Sequence, residues 1–466
     1  MPNRFAMSDL PAEFRRTQIV PGLVLALACV AAASMVYYHL GLFIPRLLEA
    51  RTSIGLGNGY SYGDDFYPIW LTARESLAGR RDLYSYRMTR EIQTGIFGRP
   101  LDRRNKFDPS IDYRQYAYPA FTDLLLWPAA LLEFPALRVV LSFLLPTLTA
   151  LSIWMWLGAL RWKLYPMWQA VFIVLTLSTY QLLEAFFALQ PGLLVGFFLA
   201  AAALAIRKQR LMLGGTLCAL TLIKPQVTAL AIFYLLLWSL SDRTRARFWQ
   251  GFSVAAVALM AGSLWIRPHW IQEWIGVLLG YHRYAMPPLI HVLLGSAFPK
   301  YTAAIIITIL ILVGVLVAWR NRRRPQDSIP FWFTFSLLLA ITAITLLPGQ
   351  AIYDHVILIP GILLVLRYRR ELAGAGRVSR ALLLAGALVV LWPWVSAFCL
   401  LIVRRWLTPE TFYAIRIFAL PMRTAASLPF AVLALIAWTW RSLRSSPVSP
   451  SGASATHDAV AEAWQP

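Results

Sequence analysis

Apolar runs of about 17 to 25 residues recur along most of this chain, each long enough to carry an α-helix across roughly 30 Å of hydrocarbon. Inside a bilayer no water satisfies the backbone, so such runs fold as helices with every hydrogen bond closed within the segment. Hydrophobic residues make up 59% of the sequence and charged residues only 14%. The fold class that follows is an all-α polytopic membrane protein.

The net charge of +21 does not point to nucleic acid, because of where the basic residues fall. They lie in short clusters between apolar runs: Arg15-Arg16, Arg161 to Lys163, Arg207 to Arg210, Arg243 to Arg247, Arg320 to Arg324, Arg367 to Arg370 and Arg441 to Arg444. Clusters so placed mark cytoplasmic loops under the positive-inside rule. Taking them as inside gives about twelve crossings: 18–42, 136–160, 166–182, 190–206, 211–222, 225–240, 248–266, 302–319, 329–347, 351–367, 380–402 and 425–441. Residues 1–17 form a cytoplasmic N-terminus, 18–441 the membrane domain, and 442–466 a cytoplasmic tail rich in Ser, Ala and Pro that reads as disordered. Cys29, Cys218 and Cys399 lie in apolar stretches, so neither a disulfide framework nor a Cys-based metal motif is expected.

The first external loop, 43–135, is large and chemically rich. Between Pro45 and Tyr118 it holds nine acidic and twelve basic residues. Parity of crossings requires that 119–134, bounded by prolines and interrupted by Asp123 and Pro128, does not span; it reads as a short interfacial or re-entrant helix. Parity also folds 211–240 into two short helices meeting at Ile223-Lys224-Pro225-Gln226. A lysine beside a proline at such a turn is costly unless it faces water or an anion, or snorkels to the headgroups.

Within the loop, Asp64 and Asp65 follow Gly63 among Tyr60, Tyr62, Phe66, Tyr67 and Trp70. Adjacent carboxylates repel one another, and an aromatic setting at a membrane surface suits one of them to act as a general base. Either serves equally well as a helix N-cap or as an arginine partner. The Arg-rich middle, Arg99, Arg103, Arg104, Lys106 and Arg114, is placed to hold phosphates or to form a solvated surface. Glu184 and Gln190 flank an apolar stretch at one rim, and Asp354-His355 occupy an external turn after Pro348-Gly349-Gln350, as functional groups or as helix caps. A second external loop, about 267–300, carries Trp270, Trp274, His282, His291 and Lys300.

These stretches resemble glycosyltransferase family 87 of the membrane-bound C superfamily, which includes polyprenol-phosphate-mannose-dependent α-mannosyltransferases. The resemblance rests on Asp65-Phe66-Tyr67-Pro68-Ile69-Trp70 with Ala73-Arg74, the Gly79 to Tyr84 turn, Tyr118-Pro119-Ala120-Phe121, Leu189-Gln190-Pro191-Gly192, Ile223-Lys224-Pro225-Gln226 and Tyr353-Asp354-His355. It departs from the family where a glycine-glutamine dipeptide appears as Leu189-Gln190 and in the insert from Arg99 to Arg114. It implies an inverting transfer of a hexose, with mannose the expected one, from a polyprenyl-phosphate donor to a glycolipid or glycan. The active site would lie on the periplasmic or extracellular face of a multi-pass cytoplasmic-membrane protein. The catalytic base would be Asp65, with Asp64 as competitor. His355, Lys224 and Arg74 would face the lipid phosphate, His355 ahead of Lys224, with Gln190, Asp354 and Tyr118 lining the substrate site. No DxD-type nucleotide-sugar motif with metal ligands stands out, so no metal and no cofactor are expected; the partners are donor, acceptor and membrane lipids, not nucleic acid. The rival reading is a transporter or flippase of lipid-linked saccharides, with Lys224, Glu184 and Asp354 lining its path.

Overall fold

A computed structural model describes residues 12–445 apart from 80, 81, 103, 110–112, 282, 296, 297 and 350. Arg103, His282, Gln350 and the expected disordered tail beyond Ser445 therefore lie outside the described residues. Within them the chain is helical, with no strand and one isolated bridge between Pro288 and Pro348.

Among the described residues, six helices are long and apolar enough to cross a membrane: Val20–Ser53, Phe134–Ala159, Arg243–Ile266, Tyr301–Asn321, Arg377–Val403 and Arg416–Leu443. A seventh is available if Pro166–Leu177 and Tyr180–Phe187, bent by 62° at their junction, count as one span. The other five crossings expected from the sequence are shorter pieces. Gly192–Arg207, Leu211–Ile223, Pro225–Leu240 and Ile329–Thr345 have 10–17 residues, and 351–367 becomes a 3-10 segment, Ile352–Leu358, followed by the helix Ile359–Arg367. Residues 119–134 fold as Phe121–Leu126 and a 3-10 turn, Trp127–Leu131.

Burial divides these helices into two sorts. Tyr301–Asn321 is the most apolar of the six, yet little of it is buried. Ile305, Ile309, Leu312 and Leu316 stand exposed at helical spacing, an apolar stripe that needs lipid. Ile329–Thr345, in contrast, is buried from Phe331 to Thr345 and forms the centre of the bundle. Close approach elsewhere depends on small residues. A Cβ on Gly215 would collide with the Phe248 carbonyl, and one on Gly251 with that of Met212, so the helices Leu211–Leu220 and Ala246–Ile266 pack backbone against backbone.

The bundle has two chemically distinct ends. At one, the basic clusters converge: Arg207 pairs with Asp327 at 2.7 Å, Arg245 reaches the carbonyls of Arg322 and Arg323, and Arg367 bonds the carbonyl of Leu160. Gly192–Arg207 runs from that end to Gln190, a rise of roughly 24 Å for 16 residues. Pro225–Leu240 likewise leads back to Lys224 and Ile359–Arg367 back to Asp354, so the polar residues singled out in the sequence meet at the opposite end, under the large loop.

Candidate functional site

Gly63 adopts φ +83°, a left-handed conformation open to glycine without penalty. A side chain there would also strike Leu189 and Phe134. From this turn Phe66 and Tyr67 donate to the Gly63 carbonyl and start the helix Tyr67–Leu77. Its N-cap is Phe66, with no capping side chain, so neither aspartate is spent as a cap. The turn is fastened to the bundle by two main-chain bonds, Gly63 N–H to Phe187 O at 2.9 Å and Asp65 N–H to Ala188 O at 3.2 Å.

Asp64 and Asp65 share Arg114 but differ in their second partner and in their access. Asp64 is nearly inaccessible and lies between two guanidiniums, Arg114 at 2.7 Å and Arg51 at 3.5 Å. Asp65 retains more access, 16% for its side chain, and is bonded on one oxygen by Arg114 and on the other by the Gln190 amide. Gln190 Oε1 in turn accepts from Lys224 Nζ at 3.0 Å, and Lys224 holds both oxygens of Asp354 at 2.9 and 2.8 Å. A continuous polar network thus runs Arg51, Asp64, Arg114, Asp65, Gln190, Lys224, Asp354, joining three basic and three acidic side chains.

Local chain geometry supplies each member. Lys224 ends the short helix Thr221–Ile223 with φ −130° because Pro225 begins the next helix, which directs its ammonium inward instead of along a helix surface. Gln190 follows Leu189, whose φ of +50° turns the chain between Tyr180–Phe187 and Gly192–Arg207. Gly192 is required: a Cβ there would overlap Asp354 Oδ1, and the carboxylate rests against the first turn of that helix, where its dipole favours negative charge. Tyr353 presents its ring to Lys224 Nζ at 5.2 Å.

The other residues expected from the sequence divide. Tyr118 joins the site: burial, with the carboxylates of Asp65 and Asp354 next in effect, pushes its hydroxyl well above the usual tyrosine range. Its carbonyl is held by the Tyr84 hydroxyl at 2.8 Å. His355 is buried, and its Nδ1 has no partner among the described residues. It makes none of the network's bonds. Arg74 is not brought in. It stands half-buried on the last turn of Tyr67–Leu77, bonded to Glu133 at 2.7 Å and stacked on Trp70. Glu184 pairs with His39 at 2.8 Å, inside a π-helical turn, Tyr37–Phe43, that no sequence signal announced.

Of the Arg-rich insert, Arg99 is structural. It grips Asp108 with two nitrogens, at 2.8 and 2.5 Å, and reaches the Ile54 carbonyl; this pairing holds the Asp108 carboxyl below its usual range. A second buried network lies nearby. Asp123 accepts from Tyr116 at 2.6 Å and Thr72 at 3.0 Å and faces Arg267 at 3.4 Å, tying the loop to the end of Ala246–Ile266.

Chemically, the first network offers a partly accessible carboxylate with a fixed orientation and cations within reach, as proton abstraction beside a departing anion requires. Residues 116–348, half of the chain, match the family described as Glycosyltransferase family 87. That stretch contains Tyr118, Gln190 and Lys224; the aspartate pair lies before it and Asp354-His355 after it. No curated protein and no solved structure matches.

Proposed function

The chain belongs to glycosyltransferase family 87, and from that premise we propose that it moves a hexose, mannose first, from a polyprenyl-phosphate donor to a glycolipid or glycan acceptor on the non-cytoplasmic face of the cytoplasmic membrane. The observation that carries the site assignment is the position of Asp65 between Gln190 and Arg114, accessible where Asp64 is enclosed by two arginines.

In this reading Asp65 takes the proton of the acceptor hydroxyl. The acceptor oxygen bonds to the anomeric carbon, the bond from that carbon to the phosphate oxygen breaks, and polyprenyl phosphate departs with the electron pair. Gln190 fixes the Asp65 carboxylate, and Lys224, its charge matched by Asp354, fixes Gln190. His355 brings an unpartnered ring nitrogen for the phosphate or the acceptor. Tyr118 supplies a neutral hydroxyl beside the carboxylates.

The test is transfer of radiolabelled mannose from polyprenyl-phosphate-mannose to lipid acceptors by purified protein in liposomes. Wild type should transfer, Asp65→Asn should fall by about 10²-fold or more, and Asp64→Asn should lose less. Movement of the donor across the bilayer without a new glycosidic bond would replace this reading with transport.

A further inference from the structure

Building on the donor assignment above, we propose that Arg114 is a further catalytic residue, which exchanges Asp65 for the leaving phosphate of the lipid donor. Its guanidinium is forked across the two aspartates, one terminal nitrogen on Asp65 and the other on Asp64 at 2.7 Å. Planar, always charged and able to hold two anions at once, arginine suits this position where lysine, a point charge, does not.

Charge bookkeeping for the reaction shows what the fork is for. Before transfer Asp65 is an anion and the donor phosphate is a diester with one negative charge. Afterwards Asp65 carries the acceptor's proton and is neutral, and the phosphate has become a monoester with a second ionisable oxygen. One unit of negative charge has left Asp65 and appeared on the phosphate. A cation bonded to Asp65 at the start loses that partner at the moment the phosphate needs one. Asp64 does not react, and it keeps its own bond to Arg114 throughout, so the guanidinium pivots without being lost from the site.

Two further observations agree. Arg114 adopts φ +54°, a left-handed conformation that side chains adopt at a cost and that persists where the surroundings demand it. Of the other two cations of the network, Arg51 lies on the enclosed Asp64, and Lys224 is already held by both oxygens of Asp354 and by Gln190.

Binding of a polyprenyl monophosphate to the full-length protein in mixed micelles, with the phosphate-free polyprenol as reference, tests this without requiring turnover. Wild type should prefer the monophosphate. Arg114→Gln should weaken monophosphate binding by about 10-fold or more, the scale of one lost charge-assisted contact, leave polyprenol binding unchanged, and lower kcat for transfer. A residue that merely tethers Asp64 and Asp65 would lower transfer and leave monophosphate affinity intact, which would overturn the proposal. A wild type that does not distinguish monophosphate from polyprenol would overturn the donor assignment itself, and the role of Arg114 with it. Should the variant not fold, phenylglyoxal modification of wild-type Arg114, read by mass spectrometry, decides the matter. Monophosphate and not polyprenol should protect the residue, and equal protection by both would overturn the proposal.

Discussion

Asp354 grips Lys224 through both carboxylate oxygens, at 2.9 and 2.8 Å, with both side chains almost wholly buried. Removing one partner strands the other. Lys224→Met is expected to destabilise the protein by roughly 3–5 kcal/mol, and adding Asp354→Leu to it should recover most of that loss. Thermal unfolding of both single variants and the double variant in detergent closes the cycle; additive losses would mean that the two groups do not interact.

Gln190 has only one amide orientation that satisfies its neighbours, nitrogen toward Asp65 and oxygen toward Lys224. Gln190→Glu replaces the donor on Asp65 with a second carboxylate, so transfer should fall by about 10²-fold, the scale found when one oriented donor is lost from a catalytic centre. The new carboxylate is buried against Asp65, so the melting temperature should fall as well, and transfer is therefore compared per folded molecule. A large drop in melting temperature with unchanged activity per folded molecule would assign Gln190 to structure alone.

Gly192→Ala places a methyl group on Asp354 Oδ1. The carboxylate must retreat from Lys224, at a cost of about 1–3 kcal/mol, with loss of activity. Gly276→Ala is the matched control. It lies in the helix Trp270–Tyr281 with nothing within 4 Å of the added Cβ and should be neutral or slightly stabilising. Unfolding curves should therefore show Gly192→Ala below wild type and Gly276→Ala at or slightly above it.

The Asp123 carboxyl is raised from 3.8 to about 6, chiefly by burial, against the opposing pull of Arg267 and of hydrogen bonds from Tyr116, Thr72 and Ser76. An acid whose pKa is higher in the fold than in the unfolded chain contributes most stability when protonated in both states. That contribution falls as pH climbs from about 4 to about 6. The melting temperature of wild type minus that of Asp123→Asn should accordingly decline over this window and level off above about pH 7. A difference that grows with pH would mean that the Arg267 ion pair outweighs burial.

Much of the site was legible because its members sit where the sequence breaks its own rule. Lys224 interrupts an apolar stretch beside a proline, Asp354 follows a buried helix, and Gln190 closes a turn; such groups are expensive in an apolar bundle unless they find one another, and they do. Arg114 and Arg51 were not legible as the partners of the aspartates. They are two of twelve basic residues in one loop, and their roles are fixed by contacts 50 and 13 residues away from Asp64 that no local pattern encodes. Arg74 lies outside the network for a related reason. It is near Asp65 in sequence, but the helix Tyr67–Leu77 carries it along its axis to Glu133. Apolar content registered 329–347 and 351–367 without fixing where helices stop, and these became Ile329–Thr345 and a 3-10 segment followed by Ile359–Arg367, whereas the two short helices expected over 211–240 are found as Leu211–Ile223 and Pro225–Leu240.

The two main-chain bonds from Gly63 to Phe187 and from Asp65 to Ala188 give this enzyme a division of labour. The paired aspartates belong mechanically to the bundle, although they are encoded in the loop. What lies beyond the helix Tyr67–Leu77, through the insert that ends at Arg114, can lengthen, shorten or change composition without shifting Asp65, provided that the arginine is delivered to it. The loop can thus be remodelled as an appendage while the aspartate pair stays anchored, a route to diversification that does not require the membrane core to be rebuilt.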